Sequence, residues 1–294
     1  MPRSSDGREV LLLTGASTGL GLALARRLLD SPYRLILTAR SGSLERFAAE
    51  GIAEDERVHL RALDVASSAE RHRVVEEAAD RWGGVDVLIN NAGVAYRAVV
   101  EHFPDDPLFD QMLINFYGPM ELIRLVLPRM REKRRGRILN VSSVGGMMAM
   151  PTMAPYSASK FALEGATEAL WYEVRPWGVK VSLIEPGFIH SDSFRNTLYT
   201  DRSRRAMRDG GNAYHAHYQH MDGMIERLMA LTRSTPEAVA RKIVRVLGRR
   251  DPPLRVPATW DAHAFTLLRR LLPRWLYHRV LYRLLPRIGD WGRR

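Results

Sequence analysis

Short apolar runs alternate along this chain with longer stretches in which apolar positions recur every three or four residues. "EVLLLT" (9–14), "YRLILTA" (33–39), "RVHLRALD" (57–64), "VDVLIN" (85–90), "GRILNVS" (136–142) and "VKVSLIEP" (179–186) predict strands. Several are apolar on consecutive positions, the pattern of strands covered on both faces. Between them, helical periodicity predicts helices near 19–30, 67–82, 107–133 and 155–175, and a shorter one near 43–50. Strictly alternating units imply a parallel sheet with right-handed crossovers, hence an α/β, doubly wound single domain over 1–258. After Pro186 the rhythm breaks into polar turns, a "YHAHYQH" stretch and a helical pattern in "GMIERLMALTR". Residues 187–233 are read as a substrate lid. Thr235 and Pro236 form an N-terminal signal for a helix over 235–248, and "LRVP" predicts a short last strand. A leucine- and arginine-rich extension occupies 259–294.

Composition narrows the chemistry. The 294 residues suffice to bury a large core, and 46% hydrophobic with 26% charged residues is ordinary for a soluble globular protein. The absence of cysteine excludes disulfides, thiolate catalysis and cysteine-ligated zinc. The net charge of +11, from 40 Arg and 4 Lys set against 33 acids, admits nucleic acid, an anionic membrane surface or a phosphorylated ligand. No recognition motif supports nucleic acid. No signal-peptide core and no run of about 18 apolar residues is present, so a cytoplasmic protein without a membrane span is expected.

"TGASTGLG" (14–21) directly follows the first strand and opens the first helix. Glycines there permit a tight turn and close approach of backbone to a pyrophosphate, and the helix N-terminus adds amide donors. At the end of the second strand, an acidic side chain would bind ribose hydroxyls and repel a 2′-phosphate. Here Ala39 is followed by Arg40, with no acid before Glu45. Arg40 is suited to a 2′-phosphate, so NADP(H) is expected over NAD(H).

"TGASTGLG", "NNAG" (90–93), "SS" (142–143), "YSASK" (156–160) and "EPG" (185–187) together resemble the short-chain dehydrogenases/reductases over about residues 9–250. The stretch from Ser142 to Gly165 is most similar to the hydroxysteroid and retinol dehydrogenases among them. The resemblance implies a Rossmann-like fold and a catalytic set of Asn115, Ser143, Tyr156 and Lys160. Tyr156 would be the acid in ketone reduction and the base in alcohol oxidation. A phenol titrates near 10, and an ammonium one turn away on the helix, Lys160, would lower that value. Ser143, thirteen positions before the tyrosine, would bind the substrate oxygen; a register one residue off would give Ser142 instead. Asn115 would position a water linking Lys160 to solvent.

The same resemblance assigns cofactor contacts to Gly15, Ser17, Thr18, Gly19, Leu20 and Gly21, with Arg40 at the adenosine end. Asp64 and Val65 would flank the adenine, and Asn91, Ala92 and Gly93 would line the adenosine side, with Asn90 tying strands together. Tyr156 and Lys160 would reach the nicotinamide ribose. Pro186, Gly187, Ile189 and Ser191 would surround the nicotinamide. The implied reaction is hydride transfer between NADP(H) and a carbonyl or alcohol on a lipophilic, steroid-, retinoid- or acyl-like substrate. A 3-oxoacyl thioester or small ketone is the alternative substrate, and a non-catalytic dinucleotide-binding regulator is the alternative of another class. Homo-oligomers, dimers or tetramers, are common in the family.

Three features stay open at the level of sequence. His215, His217 and His220 invite a metal reading, but no carboxylate pattern accompanies them, and no metal is expected. Methionines at 147, 148, 150 and 153, and again at 221, 224 and 229, suit either an apolar pocket or ordinary core filling. The stretch 265–294, with eight arginines and one acid, is divided by Pro273 and Pro286. It could lie on an anionic membrane, close a substrate cleft or pack on a partner subunit, and its flanking Arg, Trp and Tyr favour an interfacial role.

Overall fold

A computed structural model describes residues 7–190 and 197–292. Its main sheet has seven parallel strands in the order β3 (Val58–Ala62), β2 (Arg34–Ala39), β1 (Val10–Leu13), β4 (Val87–Asn90), β6 (Gly136–Val141), β7 (Val179–Glu185) and β9 (Arg255–Pro257). This is the doubly wound, Rossmann-like arrangement expected. The direction of strand addition reverses between β1 and β4. That switch point opens a crevice at the carboxyl ends of the strands, the usual ligand position in such sheets.

Consecutive apolar residues serve two cores at once. Leu11 and Leu13 face a layer containing α1 (Gly19–Leu28) and α9 (Pro236–Leu247), where Leu24, Val239 and Ile243 are buried. Val10 and Leu12 face the other layer, with α3 (Ser68–Trp82), α5 (Gly118–Glu132) and α6 (Ala154–Val174) supplying Val74, Leu122 and Leu170. Both layers exclude water, which explains why β1 reads as an unbroken apolar run.

Capping follows the sequence signals. Ser67 accepts from the Glu70 amide at 3.3 Å and Gly83 ends α3 at φ 77°. Thr235 likewise accepts from the Ala238 amide at the start of α9, with Pro236 at its first position. The short helix expected near 43–50 is a 3-10 turn over Ser41–Ser43 followed by α2 (Glu45–Ala49).

The single helix expected over 107–133 is instead three pieces: α4 (Asp105–Met112), a π-helical turn at Leu113–Tyr117, and α5. Pro119 has no amide to donate, and Gly118 lies so close to the Val65 carbonyl that a Cβ would sit 2.5 Å from it. An ordinary α-helix is interrupted there, and the widened turn carries Asn115. Also unforeseen is a two-stranded parallel pair, β5 (Tyr96–Arg97) with β8 (Leu198–Tyr199), too short to leave a periodic signature.

Residues expected as a lid fold into α7 (Asp201–Arg208) and α8 (His215–Leu231). Buried Arg97 pairs with Asp222 at 2.5 Å, and the Tyr218 hydroxyl accepts from the Val99 amide at 3.0 Å. These bonds tie α8 to the segment after β4. The tail forms α10 (Trp260–Leu271) and α11 (Arg274–Leu284), divided at Pro273. Met147 and Met148 are buried against Tyr277, with Phe265, Leu268 and Leu281 around them. No helix among the described residues is long and apolar enough to cross a membrane.

Candidate active site

The glycine-rich loop turns from β1 into α1 where two backbones nearly touch. Gly15 has φ 65°, and a Cβ on it would lie 2.9 Å from the Ala92 Cα. A Cβ on Gly21 would lie 2.0 Å from the Gly15 carbonyl oxygen. Only glycine fits at either point. Thr18 caps α1 without a side-chain bond, and the first turn, with Gly19 and Leu20 following Ser17 and Thr18, holds no acid to repel an anion. Thr14 joins the two loops of the switch point, its hydroxyl accepting from the Asn91 and Ala92 amides at 3.0 Å each.

Several expected cofactor residues also have structural duties. Asn91 donates to the Thr14 and Gly15 carbonyls at 3.0 Å. Asp64 accepts from the Ala66 amide at 2.9 Å, and the Val65 carbonyl accepts from Arg71 at 2.5 Å. Arg40 stands exposed at the end of β2. Asn90 donates to Asn140 at 2.8 Å, and Asn140 to Thr167 at 2.9 Å, a buried tie between β4, β6 and α6. Ser191 lies outside the described residues.

Ser143, Tyr156 and Lys160 come together at the carboxyl end of β6. Ser143 and Tyr156 meet at Gly145, where a Cβ would lie 2.8 Å from the Tyr156 ring and 3.6 Å from the Ser143 hydroxyl oxygen. Lys160 is buried and donates to the Val141 carbonyl at 3.0 Å, its ammonium 5.9 Å from the centre of the Tyr156 ring. Of the two serines, Ser142 turns the other way and donates to Glu164 at 2.6 Å. Asn115 is committed to the backbone: it accepts from the Val94 amide and donates to the Val94 carbonyl, each at 2.9 Å, and donates to Ser159 at 3.1 Å. Gly93 lies between it and Lys160, since a Cβ there would meet the Asn115 oxygen at 3.2 Å and the lysine nitrogen at 3.8 Å.

Burial dominates the electrostatics. It raises the Tyr156 phenol above its ordinary value of 10, against a lowering by neighbouring Ser143. It brings Lys160 down to about 8, against the raising charge of Glu164. The sequence led us to expect a phenol lowered by its lysine; here the ammonium is spent on the Val141 carbonyl, and desolvation wins.

Sequence reasoning missed the residues that brace the turn after β7. The Gly187 amide donates to Thr259 and the Phe188 amide to buried Asp261, both at 2.8 Å. A Cβ on Gly187 would fall 1.9 Å from that carboxylate. Pro186 accepts from the Val144 amide at 2.8 Å, and Ile189 packs against the core. Thr259 caps α10, accepting from the Ala262 amide, and no spacing in the sequence marks its second partner 72 residues away. Also missed were Glu164 and Arg255, bonded at 2.6 Å, with Arg255 reaching on to Glu185 at 2.5 Å.

The histidines of α8 disperse. His215 contacts the Ala206 carbonyl, His217 packs at a tilt against Trp291, and His220 lies 3.8 Å from Asp290. Among the described residues, no group of three metal-ligating side chains assembles. A cavity of about 410 Å³ by His59, Arg61 and Trp82 opens at the outer β3 side and shares no residue with the catalytic cluster.

A parallel sheet with a glycine-rich turn at its switch point, facing a serine–tyrosine–lysine cluster, defines a dinucleotide-dependent oxidoreductase class. The family model described as short chain dehydrogenase matches residues 9–201. The chain belongs to the short-chain dehydrogenase/reductase family. A 3-ketodihydrosphingosine reductase of Bacteroides thetaiotaomicron is 34% identical over 252 residues, covering 84% of this chain and 86% of that protein. Human 17-beta-hydroxysteroid dehydrogenase type 1 is 33% identical over 259 residues, covering 84% and 76%. Among solved structures, a single-substitution variant of actinorhodin polyketide ketoreductase with NADPH superposes with a TM-score of 0.70 at 27% identity, covering 87% of this chain and 97% of that one. The hydroxysteroid dehydrogenase likeness read from residues 142–165 is therefore present among its relatives.

Glu185, almost fully buried, has its carboxyl pushed up to about 7 by burial and by Glu164, with Arg255 opposing. A carboxyl raised above its unfolded value near 4.3 contributes stability in full below that value and loses it as pH rises through about 7. Glu185→Gln should therefore help the protein more at pH 8 than at pH 5. Thermal melts of both proteins at the two pH values check this, and an equal Tm difference at both would refute it.

Proposed function

We propose that this protein is an NADP(H)-dependent oxidoreductase interconverting a carbonyl and an alcohol on a lipophilic substrate, with Tyr156 exchanging the proton. The observation that carries the reading is the meeting of Ser143 and Tyr156 at Gly145, with buried Lys160 one turn behind the tyrosine. A structural neighbour holding NADPH supports the choice of cofactor, and so does the exposed Arg40 in place of an acid. The tight glycine turn fits a pyrophosphate, because side chains at Gly15 and Gly21 would block the close approach. Gly15 to Gly21 would hold the phosphates, Arg40 the 2′-phosphate, Asp64 and Val65 the adenine, and Asn91 to Gly93 the adenosine side. Pro186, Gly187 and Ile189 would border the nicotinamide. Bound there, NADP(H) supplies or accepts the hydride.

This chain's own residues handle the oxygen and the proton. The Ser143 hydroxyl orients the substrate oxygen, and the Tyr156 O–H gives its proton as negative charge develops there. The phenolate left behind is stabilised by the Lys160 ammonium. Burial keeps the phenol protonated at neutral pH, which suits the reductive direction. Relatives named for a sphingoid base and a steroid support a bulky apolar substrate.

The reading extends to the surface. α10 exposes Trp260, Leu267 and Leu271, and α11 exposes Trp275 and Tyr282 with Arg279 stacked on Trp275. Such a face supports peripheral contact with an anionic membrane. Exposed Tyr117, Phe161 and Tyr172 on the helices of the other layer support a homo-oligomer.

Three measurements test the proposal. Against a panel of steroid ketones, retinal, long-chain 3-ketones and small ketones, Tyr156→Phe should lower kcat/KM for NADPH-driven reduction by about 10²–10⁴-fold while NADPH still binds. Retained turnover in that variant would sink the proton role, and a wild type that binds NADPH without turnover would favour a non-catalytic regulator. Arg40→Glu should raise the KM for NADPH by about tenfold or more and narrow the preference over NADH; an unchanged ratio would remove Arg40 from the cofactor site. Co-sedimentation should show binding to anionic but not neutral vesicles, weakened in Arg279→Gln/Arg283→Gln, with sedimentation velocity reporting a dimer or tetramer. Equal binding to both vesicle types, or none, would refute membrane contact, and a monomer would refute assembly.

A further inference from the structure

Glu164 follows Lys160 by one helical turn, so the two side chains share a face of α6. Its carboxylate is buried, and both oxygens are occupied: one accepts from the Ser142 hydroxyl and the other from Arg255, each at 2.6 Å. The turn after Ser143 is shaped around it, since a Cβ on Gly146 would lie 2.1 Å from the Ser142-bonded oxygen. Arg255 in turn holds Glu185, the residue before Pro186 and Gly187. A single carboxylate therefore touches the catalytic serine turn, adjoins the catalytic lysine, and through Arg255 reaches the turn beside the expected nicotinamide.

We propose that Glu164 is a positioning residue of the active site, fixing the Ser142–Ser143 turn through its oxygens and setting the electrostatic field around Lys160 through its charge. It touches neither substrate nor cofactor and acts through those two neighbours. Removing it would leave the Ser142 hydroxyl unpartnered inside the protein and cost Arg255 one of its carboxylates, while the lysine lost its opposing charge.

The groups around Lys160 make the charge role specific. Tyr156 faces it from α6, Asn115 from the π-helical turn, and the Val141 carbonyl from β6. The last two are uncharged, and the phenol is held protonated by burial. Glu185 on β7 and Arg255 on β9 meet at Glu164, and Glu168 lies farther along α6, 3.5 Å from Arg255. Among these, Glu164 is the charge that opposes the lowering of Lys160 by burial.

The inference rests on Lys160 being the catalytic lysine, and its test needs no substrate. Only four lysines, at 133, 160, 180 and 242, occur in the chain, so lysine labelled with ¹³C at Cε gives few NMR signals. The Lys160 signal is the one lost in Lys160→Arg. In Glu164→Gln, its titration midpoint should fall by about one pH unit from the wild-type value. In Arg255→Met, which removes a cation from the same cluster, the midpoint should rise instead. Midpoints that coincide in wild type and Glu164→Gln, or that move in the same direction in both variants, overturn the charge role. With an active wild type, the alkaline limb of reductive kcat/KM should move with the midpoint; a moved midpoint beside an unmoved limb overturns the link to catalysis. Ser142→Ala should leave the midpoint in place while lowering kcat severalfold at unchanged KM for NADPH, and an unaltered kcat overturns the positioning of the serine turn. Failure of Tyr156→Phe to lose turnover would count against the function proposed above and leave the midpoint comparison standing.

Discussion

All seven strands of the main sheet run in one direction, and the order of their addition reverses between β1 and β4. Parallel pairing sends every carboxyl end to a single edge, and the reversal parts the crossovers there to leave a crevice. The remaining organisation depends on that constraint. The glycine turn after β1, the Asn91–Gly93 loop after β4, the serine turn after β6 and the Pro186–Gly187 turn after β7 converge because their strands are neighbours. Lys160 is fixed to the same edge by the Val141 carbonyl, so the helix carrying Tyr156 is registered against β6 at the residue before Ser142.

The same geometry explains the electrostatics. The carboxyl edge packs on α10 and α11 on one side and is tied to α8 through Arg97 and Asp222, with Lys160 buried and Tyr156 half-buried between. Desolvation then raises a phenol and lowers an ammonium together. Left unopposed, it would turn a tyrosine–lysine pair into two neutral groups. The Glu164–Arg255–Glu185 cluster stands beside the pair, with both carboxylates buried and Arg255 reaching them from the surface.

The sheet and the grouping of Ser143, Tyr156 and Lys160 were largely legible in the sequence because each depends on local signals. Runs such as "VLLL" are continuous because both faces are covered, and Tyr156 and Lys160 are joined by helical spacing alone. Ser142 and Ser143 could be told apart only in three dimensions, since neighbouring residues at the end of a strand point to opposite sides. Contacts between distant residues were beyond reach: Arg255 meets Glu164 across 91 positions, and Asp261 meets Phe188 across 73. No period or spacing encodes such pairs. The π-helical turn was missed for a different reason, as the apolar pattern runs through it and only the missing amide of Pro119 marks the break.

The bracing of Gly187 and Phe188 by Thr259 and Asp261 has a thermodynamic corollary. The first turn of α10 and the backbone bordering the expected nicotinamide share hydrogen bonds, so a displacement of one strains the other. Two sites joined in this way have a coupling free energy, and coupling is reciprocal. Whatever engages the outer face of the tail helices and shifts α10 would alter dinucleotide affinity, and dinucleotide would alter that engagement by the same factor. Through those two bonds the extension and the turn expected to border the nicotinamide would be linked.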